Sequence, residues 1–198
     1  MNSRNKMRYD DFFSSSLGKR ILEEEAKYVA DNVKGITASI GCGTGKIEER
    51  IEEISSGKII GVEIDDKMLA IAGHRIDVVK ADAAALPFKN ASLDAIIFIT
   101  SLEFIENYKK AIEESYRVLN NKGKIIAIML NTSSQYFKER YEAGGYIRKN
   151  IKHINIGAIT DYMKNFFSIR IEGLFEIMRD KLYIPGKSVY GVIGTKEA

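Results

Sequence analysis

Residues 36–47 read Ile-Thr-Ala-Ser-Ile-Gly-Cys-Gly-Thr-Gly-Lys-Ile, an apolar run that enters three glycines within five residues and leaves on a lysine. Ile36–Ile40 has the length and character of a buried strand. Ile47, Ile51 and Ile54 then recur at i, i+4 and i+7, so a helix starts directly beyond Gly45. Strand, glycine turn and helix in that order open a parallel α/β unit. The spacing of the turn limits its ligand. A P-loop needs G-x-x-x-x-G-K-[ST], but Ile40 stands at the first glycine position and Ile47 follows Lys46. The dinucleotide fingerprint G-x-G-x-x-G begins at Gly41-Cys42-Gly43, yet its third glycine arrives one residue early, at Gly45. Gly41 and Gly43, without Cβ atoms, still let a ligand approach the backbone, and the helix start behind them favours an anion, a carboxylate as readily as a phosphate.

Outward from the turn, apolar periodicity sets the remaining elements. Leu22, Ala26, Val29, Ala30 and Val33 share one face of a helix predicted over Leu17–Val33. Downstream, Lys58–Ile64 is a second strand, followed by a helix with Met68, Ile71 and Ala72 inward. Asp77–Lys80 is a third strand, and Leu93–Thr100 is a fourth that is apolar throughout, as a strand covered on both faces should be. Tyr108–Leu119 reads as a helix, Asn120–Gly123 as a turn and Lys124–Leu130 as a fifth strand. Strands alternating with helices predict a doubly wound α/β fold with a mostly parallel sheet. The tail breaks the rhythm: Phe166–Leu174 and Ser188–Thr195 are strand-like, and only a segment with Pro185-Gly186 separates them. An antiparallel hairpin is expected there.

With 198 residues the chain suits one domain, and 45% hydrophobic content with 10 Tyr and 9 Phe argues against disorder. The longest apolar runs, Ala95–Ile99 and Ile125–Leu130, are far shorter than a membrane helix. The start, MNSRNKMRYDDFF, has positive charge but no apolar stretch behind it, so no secretory signal is expected. One cysteine permits neither an internal disulfide nor a zinc cluster, which makes a reducing, cytoplasmic setting the expectation. The net charge of +3 conceals a local excess: Lys138, Arg140, Arg148, Lys149 and Lys152 face only Glu139 and Glu142. That segment is either a solvated surface or a site of attraction for an acidic partner. Oligomeric state is left open.

Two acids sharpen the ligand. Glu63 lies 20 residues beyond Gly43 at the end of the second strand, where a carboxylate can accept two hydrogen bonds from a ribose diol. The alternative role, capping the next helix, falls more naturally to Asp65 or Asp66. Asp82 follows the third strand and is placed to meet an adenine amino group.

Gly41-Cys42-Gly43-Thr44-Gly45, Gly61-Val62-Glu63-Ile64-Asp65 with Met68-Leu69, Ala81-Asp82-Ala83 and Leu86-Pro87-Phe88 occur in a recognisable order. With Leu93-Asp94-Ala95-Ile96-Ile97 and the stretch from Tyr116-Arg117-Val118-Leu119 through Lys122-Gly123, they resemble the ordered motifs of small class I S-adenosylmethionine-dependent methyltransferases. The resemblance runs from about Thr37 to Leu130. It implies a Rossmann-like, seven-stranded sheet ending in an antiparallel hairpin, in a single domain over residues 1–198. Residues 1–33 would form a helical cover, and residues 131–165 an insertion over the active site. It implies S-adenosylmethionine as cofactor and S-adenosylhomocysteine as product. Backbone groups of Gly41, Cys42 and Gly43, with Gly45 in the turn, would hold the methionine end. Glu63 would bind the ribose, Asp82 and Ala83 the adenine edge, and Ile64 and Met68 the adenine faces, while Thr100 would approach the methionine portion. One departure stands out: the family usually has an acid two residues before the first glycine, and this chain has Ser39. Tyr9-Asp10-Asp11-Phe12-Phe13 resembles the aromatic segment that covers the cofactor in small members, with Tyr9 a candidate contact.

In such enzymes the cofactor carries the reactive group and the protein aligns the acceptor, so no catalytic side chain is obligatory. Glu103, just beyond the fourth strand, is the candidate base; it otherwise reads as a solvated or capping glutamate. His74 is placed at the far sheet edge and His153 in the insertion, while Cys42 lacks a partner that would make it nucleophilic. The fourth strand ends in Ile-Thr-Ser-Leu-Glu, not in an Asn/Asp-Pro-Pro-aromatic run, which disfavours adenine or glutamine amides as acceptors. The insertion is rich in Tyr136, Phe137, Tyr141, Tyr146 and Tyr162, which either line a small-molecule pocket, with Tyr136 and Tyr141 the candidate contacts, or form lid core. Three readings follow: a small-molecule methyltransferase, an RNA or protein methyltransferase using residues 138–152, and an NAD-binding Rossmann protein. The last lacks the glycine spacing. No metal site is expected.

Overall fold

The computed structural model describes residues 10–55 and 57–197. The elements, in chain order, are α1 (Ser16–Asn32), β1 (Thr37–Ile40), α2 (Lys46–Ile54), β2 (Ile59–Glu63), α3 (Asp66–Ala72), β3 (Asp77–Lys80) and β4 (Leu93–Ile99). A 3-10 turn at Leu102–Phe104 leads into α4 (Tyr108–Val118), β5 (Leu119–Leu130), α5 (Gln135–Glu142), α6 (Tyr146–Asn150), α7 (Ile156–Met163), β6 (Ser168–Met178), β7 (Lys181–Tyr183) and β8 (Val189–Thr195). Tyr9 lies outside the described residues, as do residues 1–8.

Local chemistry starts each helix. The Ser15 hydroxyl accepts the Gly18 N–H, Asp65 accepts those of Lys67 and Met68, and Asn107 accepts that of Lys110. In the segment 131–165, the Ser134 hydroxyl accepts the Phe137 N–H and Asn155 accepts the Ala158 N–H. Asp65 thus fills the capping role that would otherwise have fallen to Glu63. The face of α1 that turns inward carries Gly18, Ile21, Leu22, Glu25, Ala26 and Val29, at helical spacing.

The sheet runs in the order β3-β2-β1-β4-β5-β8-β6-β7. The first five strands are parallel, with Ser39 opposite Gly61 on one side and Ile97 on the other, and β8 returns antiparallel to both β5 and β6. Centrally placed β4 and β5 supply Ile96, Ile97, Phe98, Ile125, Ile126 and Ile128, none measurably exposed, so the core sits on both sheet faces. Strand order reverses between β1 and β4, and in an open α/β sheet that point opens a crevice at the carboxyl ends of the strands.

The sheet has eight strands, not the seven expected. β7 folds back on β6 through Arg179 and Asp180, both at positive φ (50° and 58°), the geometry of a tight hairpin turn. Arg-Asp is not the Asn-Gly type of pair that announces such a turn, so β7 gave no signal. The turn expected at 120–123 is instead a register shift within β5, with Lys122 at φ 64°. Gly61 has a packing reason: a Cβ there would stand 2.7 Å from Cys42 Sγ and 2.8 Å from Ile76 Cδ1. The cysteine side chain fills the groove that this glycine leaves, and burial pushes its thiol well above the ordinary range, so it stays protonated. Among the described residues no helix is long and apolar enough to cross a membrane.

Candidate functional site

The glycine turn ends β1 at the crevice. Gly41, Gly43 and Gly45 all have positive φ (72°, 58° and 71°), a backbone that glycine adopts without strain. The amides of Gly41 and Cys42 both donate to Val62 O, and the amide of Gly43 donates to Glu63 Oε2 at 2.9 Å. Backbone N–H groups expected to meet a ligand are therefore engaged within the protein. What the turn offers is space: a Cβ on Gly43 would meet nothing within 4 Å. Gly43→Val is accordingly expected to cost only about 1–2 kcal/mol of stability, from its left-handed backbone, while blocking whatever occupies that space. Urea unfolding and S-adenosylhomocysteine titration of the same variant separate the two effects.

Glu63 is the hinge of this region. It is 9% exposed; Oε2 takes the Gly43 N–H, and Oε1 takes those of Ile64 (2.8 Å) and Asp65 (2.9 Å). Three backbone donors fix the carboxylate at the end of β2. It borders a cleft of about 260 Å3 whose wall includes Ile40, Gly41, Ile64, Asp82, Ala83 and Phe104. Ile64 is 60% exposed, an apolar side chain offered to a ligand. Asp82 is held by the Ala84 N–H at 2.8 Å. Met68 is buried and does not line this cleft. The cleft thus combines a fixed carboxylate, an apolar wall, a strand-end acid and a bare glycine, the donor and shape set that an adenosyl amino acid requires.

The acid missing at position 39 is supplied from elsewhere. The Ser39 hydroxyl donates to Glu48 Oε1 at 2.7 Å, which brings a buried carboxylate from α2 behind the turn. A further network latches the N-terminal segment over it. The Thr44 hydroxyl donates to Asp10 Oδ1 at 2.7 Å, and Arg75 reaches both Asp10 Oδ2 and Thr44 O at 2.8 Å.

Beside the cleft, sharing Phe104 with it, lies a second pocket of about 170 Å3. Phe12, Phe13, Thr100, Tyr136, Tyr146 and Ile147 are in its wall, and Glu25 is its only carboxyl among the described residues. Thr100, at φ 44°, closes the end of β4, and Tyr146 packs on Phe104 with ring centroids 5.7 Å apart. Tyr141 is not in the wall; it stacks on Phe137 at 5.6 Å. Glu103 is fully buried behind the pocket. Its Oε1 accepts the Leu130 N–H at 3.1 Å, its Oε2 has no hydrogen-bond partner among the described residues, and burial pushes it up to about 7. The expected solvated glutamate is thus a core residue, carried inward by the 3-10 turn. His153 does not reach the pocket. Its Nε2 lies 3.0 Å from Ile105 O and 3.1 Å from Glu106 O, and since carbonyls only accept, that nitrogen carries the proton. With the Lys152 and His153 amides donating to Glu103 O, this ties the lid to the rim of the cleft.

Glu25, Glu48, Phe104 and the Asp10–Arg75 pair escaped the sequence reading. Glu25 alone carried a signal: it stands between Leu22 and Ala26 on the apolar stripe of α1, where a charged residue is out of place. The others depend on contacts between distant segments.

A reversed-order parallel sheet, a glycine turn at its switch point, a mostly buried glutamate at the end of β2 and a strand-end aspartate are the features of the class I methyltransferase fold. Residues 38–127 match the methyltransferase domain family. The matched stretch holds the ordered motifs, and the fold built around it is that of the class I S-adenosylmethionine-dependent methyltransferases. It is 36% identical over 136 residues to an uncharacterized protein of Methanocaldococcus jannaschii, covering 68% of this chain and 62% of that one. It is 31% identical to a demethylmenaquinone methyltransferase of Thermus thermophilus, covering 54% of this chain and 49% of the relative. The chain therefore spans about half to three fifths of these curated relatives. In structure it is similar to a Thermotoga maritima S-adenosylmethionine-dependent methyltransferase described as a possible histamine N-methyltransferase. The TM-score is 0.82 and the sequence identity 24%, over 98% of this chain and 97% of that one.

Proposed function

We propose that the protein transfers a methyl group from S-adenosylmethionine to a small-molecule acceptor. The observation that carries this reading is the pairing of two sites of different character across Phe104: a polar-edged cleft with Glu63 and Asp82, and an apolar, aromatic pocket. When bound, S-adenosylmethionine supplies a methyl group activated by its positive sulfur. Every other part of the task falls to this chain. Glu63 would hold the ribose hydroxyls, Asp82 and Ala83 the adenine edge and Ile64 one adenine face, with the bare Gly43 leaving room for the amino-acid portion. Tyr136, Tyr146 and Ile147 of the lid, with Phe12 and Phe13 of the N-terminal segment, would exclude water and align the acceptor.

Nucleic acid is the less favoured acceptor. Arg140 lies over the Tyr136 ring, Arg148 over Tyr141, and Lys152 pairs with Glu106 at 2.8 Å, so three of the five cations in 138–152 are engaged locally. The quinone methyltransferase relative also supports a small acceptor. Isothermal titration with S-adenosylhomocysteine and NAD tests the cofactor assignment. Binding of the adenosyl compound at about micromolar Kd is expected, without a comparable NAD signal; tight NAD binding with no response to the adenosyl compound overturns it.

A further inference from the structure

The pocket beyond Phe104 is unusual in what faces what. Phe12, Phe13, Phe104, Tyr136 and Tyr146 line it together with aliphatic side chains such as Ile21, Leu130 and Val189, and among the described residues the one carboxyl in the wall is that of Glu25. Glu25 is only 4% exposed, and among the described residues it has no hydrogen bond and no ion pair. Two more carboxyls, Glu48 and Glu103, stand close enough to repel it, both fully enclosed and without a basic partner among the described residues. A buried carboxylate is kept only when something compensates it, and among the described residues no lysine or arginine does. Faces of aromatic rings around a carboxylate are the surroundings in which an organic cation is best held. The volume, about 170 Å3, is below the roughly 300–1,000 Å3 of pockets for drug-sized ligands, so the occupant has about one ring.

Building on the methyltransferase reading, we propose that the acceptor is a small primary or secondary amine, entering as its ammonium ion, with Glu25 as the carboxylate that meets the nitrogen and takes its proton. In that transfer one N–H bond breaks, the proton bonds to a Glu25 carboxylate oxygen, and the electron pair stays on nitrogen. The amine is then neutral and nucleophilic, and Glu25 is a neutral acid.

The electrostatics agree. Burial, with Glu48 from α2 and Glu103 from the 3-10 turn adding repulsion, pushes Glu25 up to about 8. The facing hydroxyls are Tyr136 on α5, with Arg140 over its ring, and Tyr146 on α6; burial raises both, so they stay neutral. Near neutral pH the free protein therefore holds a proton on Glu25, and an arriving ammonium displaces it.

Calorimetry of the S-adenosylhomocysteine-saturated protein with phenethylamine and its neutral isostere 2-phenylethanol, in buffers of different ionisation enthalpy near pH 7, reads each element. The amine is expected to bind about tenfold tighter or more, with release of close to one proton. In Glu25→Gln that preference and the proton release should both vanish, while 2-phenylethanol and S-adenosylhomocysteine bind as before. Equal binding of the two probes, no binding of the amine, or an unchanged preference in Glu25→Gln overturns the proposal. The same titration without added cofactor product keeps the two readings apart. Failure of S-adenosylhomocysteine to bind overturns the methyltransferase assignment; loss of amine preference with that compound bound overturns only this one.

Discussion

Replacing Glu63 by alanine is expected to weaken S-adenosylhomocysteine binding by about ten- to a hundredfold. Three of the roughly four acceptor sites of the carboxylate are taken by backbone amides, so one hydrogen bond from a ribose hydroxyl to Oε2, worth about 1.5–3 kcal/mol, would be lost. That hydroxyl would then be left against an apolar wall. A second loss comes from inside the protein. Glu63 accepts the amides of Gly43, Ile64 and Asp65, and without it the glycine turn is no longer tied to the end of β2. Apo stability should fall as well, by about 2–3 kcal/mol, read as a lower urea midpoint. Gly43→Val separates the contributions, since it leaves Glu63 and its three donors in place and only fills the space above the turn. Binding by Glu63→Ala within about threefold of the parent, less than 1 kcal/mol, would remove the ribose role from this carboxylate.

How far this site could be read in advance depended on whether the residue's job was local. Gly41, Gly43, Glu63 and Asp82 stand at the ends of their own strands, and strand ends can be located from apolar periodicity, so the order of motifs brought them to one end of the sheet. The same holds for Asp65, whose capping bonds are two and three residues away. Glu48 stayed hidden because its meaning lies in Ser39, nine residues back and on another element. Phe104 looked like any aromatic after a strand; its place between two cavities appears only when α6 brings Tyr146 against it. Glu103 was located but misjudged, because a glutamate after a strand is normally solvated and nothing local shows that the 3-10 turn carries it under Leu130. The basic run in 138–152 drew attention to this segment, yet what it contributes to the pocket is Tyr136, Tyr146 and Ile147; its aromatic content marked the two tyrosines, and nothing local marked Ile147.

Glu25→Gln is expected to stabilise the apo protein at alkaline pH, a result that separates a strained buried acid from a structural one. An unfolded glutamate titrates near 4.5, and in the folded protein burial raises Glu25 to about 8 and Glu48 and Glu103 to about 7. Between those limits the folded chain binds more protons than the unfolded chain, so stability falls as pH rises from about 4.5 to about 8, then levels off. Below about 4.5 all three are protonated in both states and the penalty is absent. Moving one carboxyl from 4.5 to about 8 costs its ionised form roughly 5 kcal/mol. Glutamine keeps the shape and removes the charge, but it buries an amide whose own partner is missing, so a net gain of about 2–4 kcal/mol is the expected difference above pH 8. In a chain of this length that raises Tm by roughly 10 °C. Near pH 4.5 the two proteins should melt together. Thermal unfolding of both from pH 4.5 to 9 traces the curve. The parent would approach the stability of the variant at high pH only when an organic cation is added, because the cation supplies the compensation that the fold leaves out. If the two proteins melt together across the whole range, Glu25 is already compensated within the folded chain, and the pocket has no uncompensated charge with which to draw an amine.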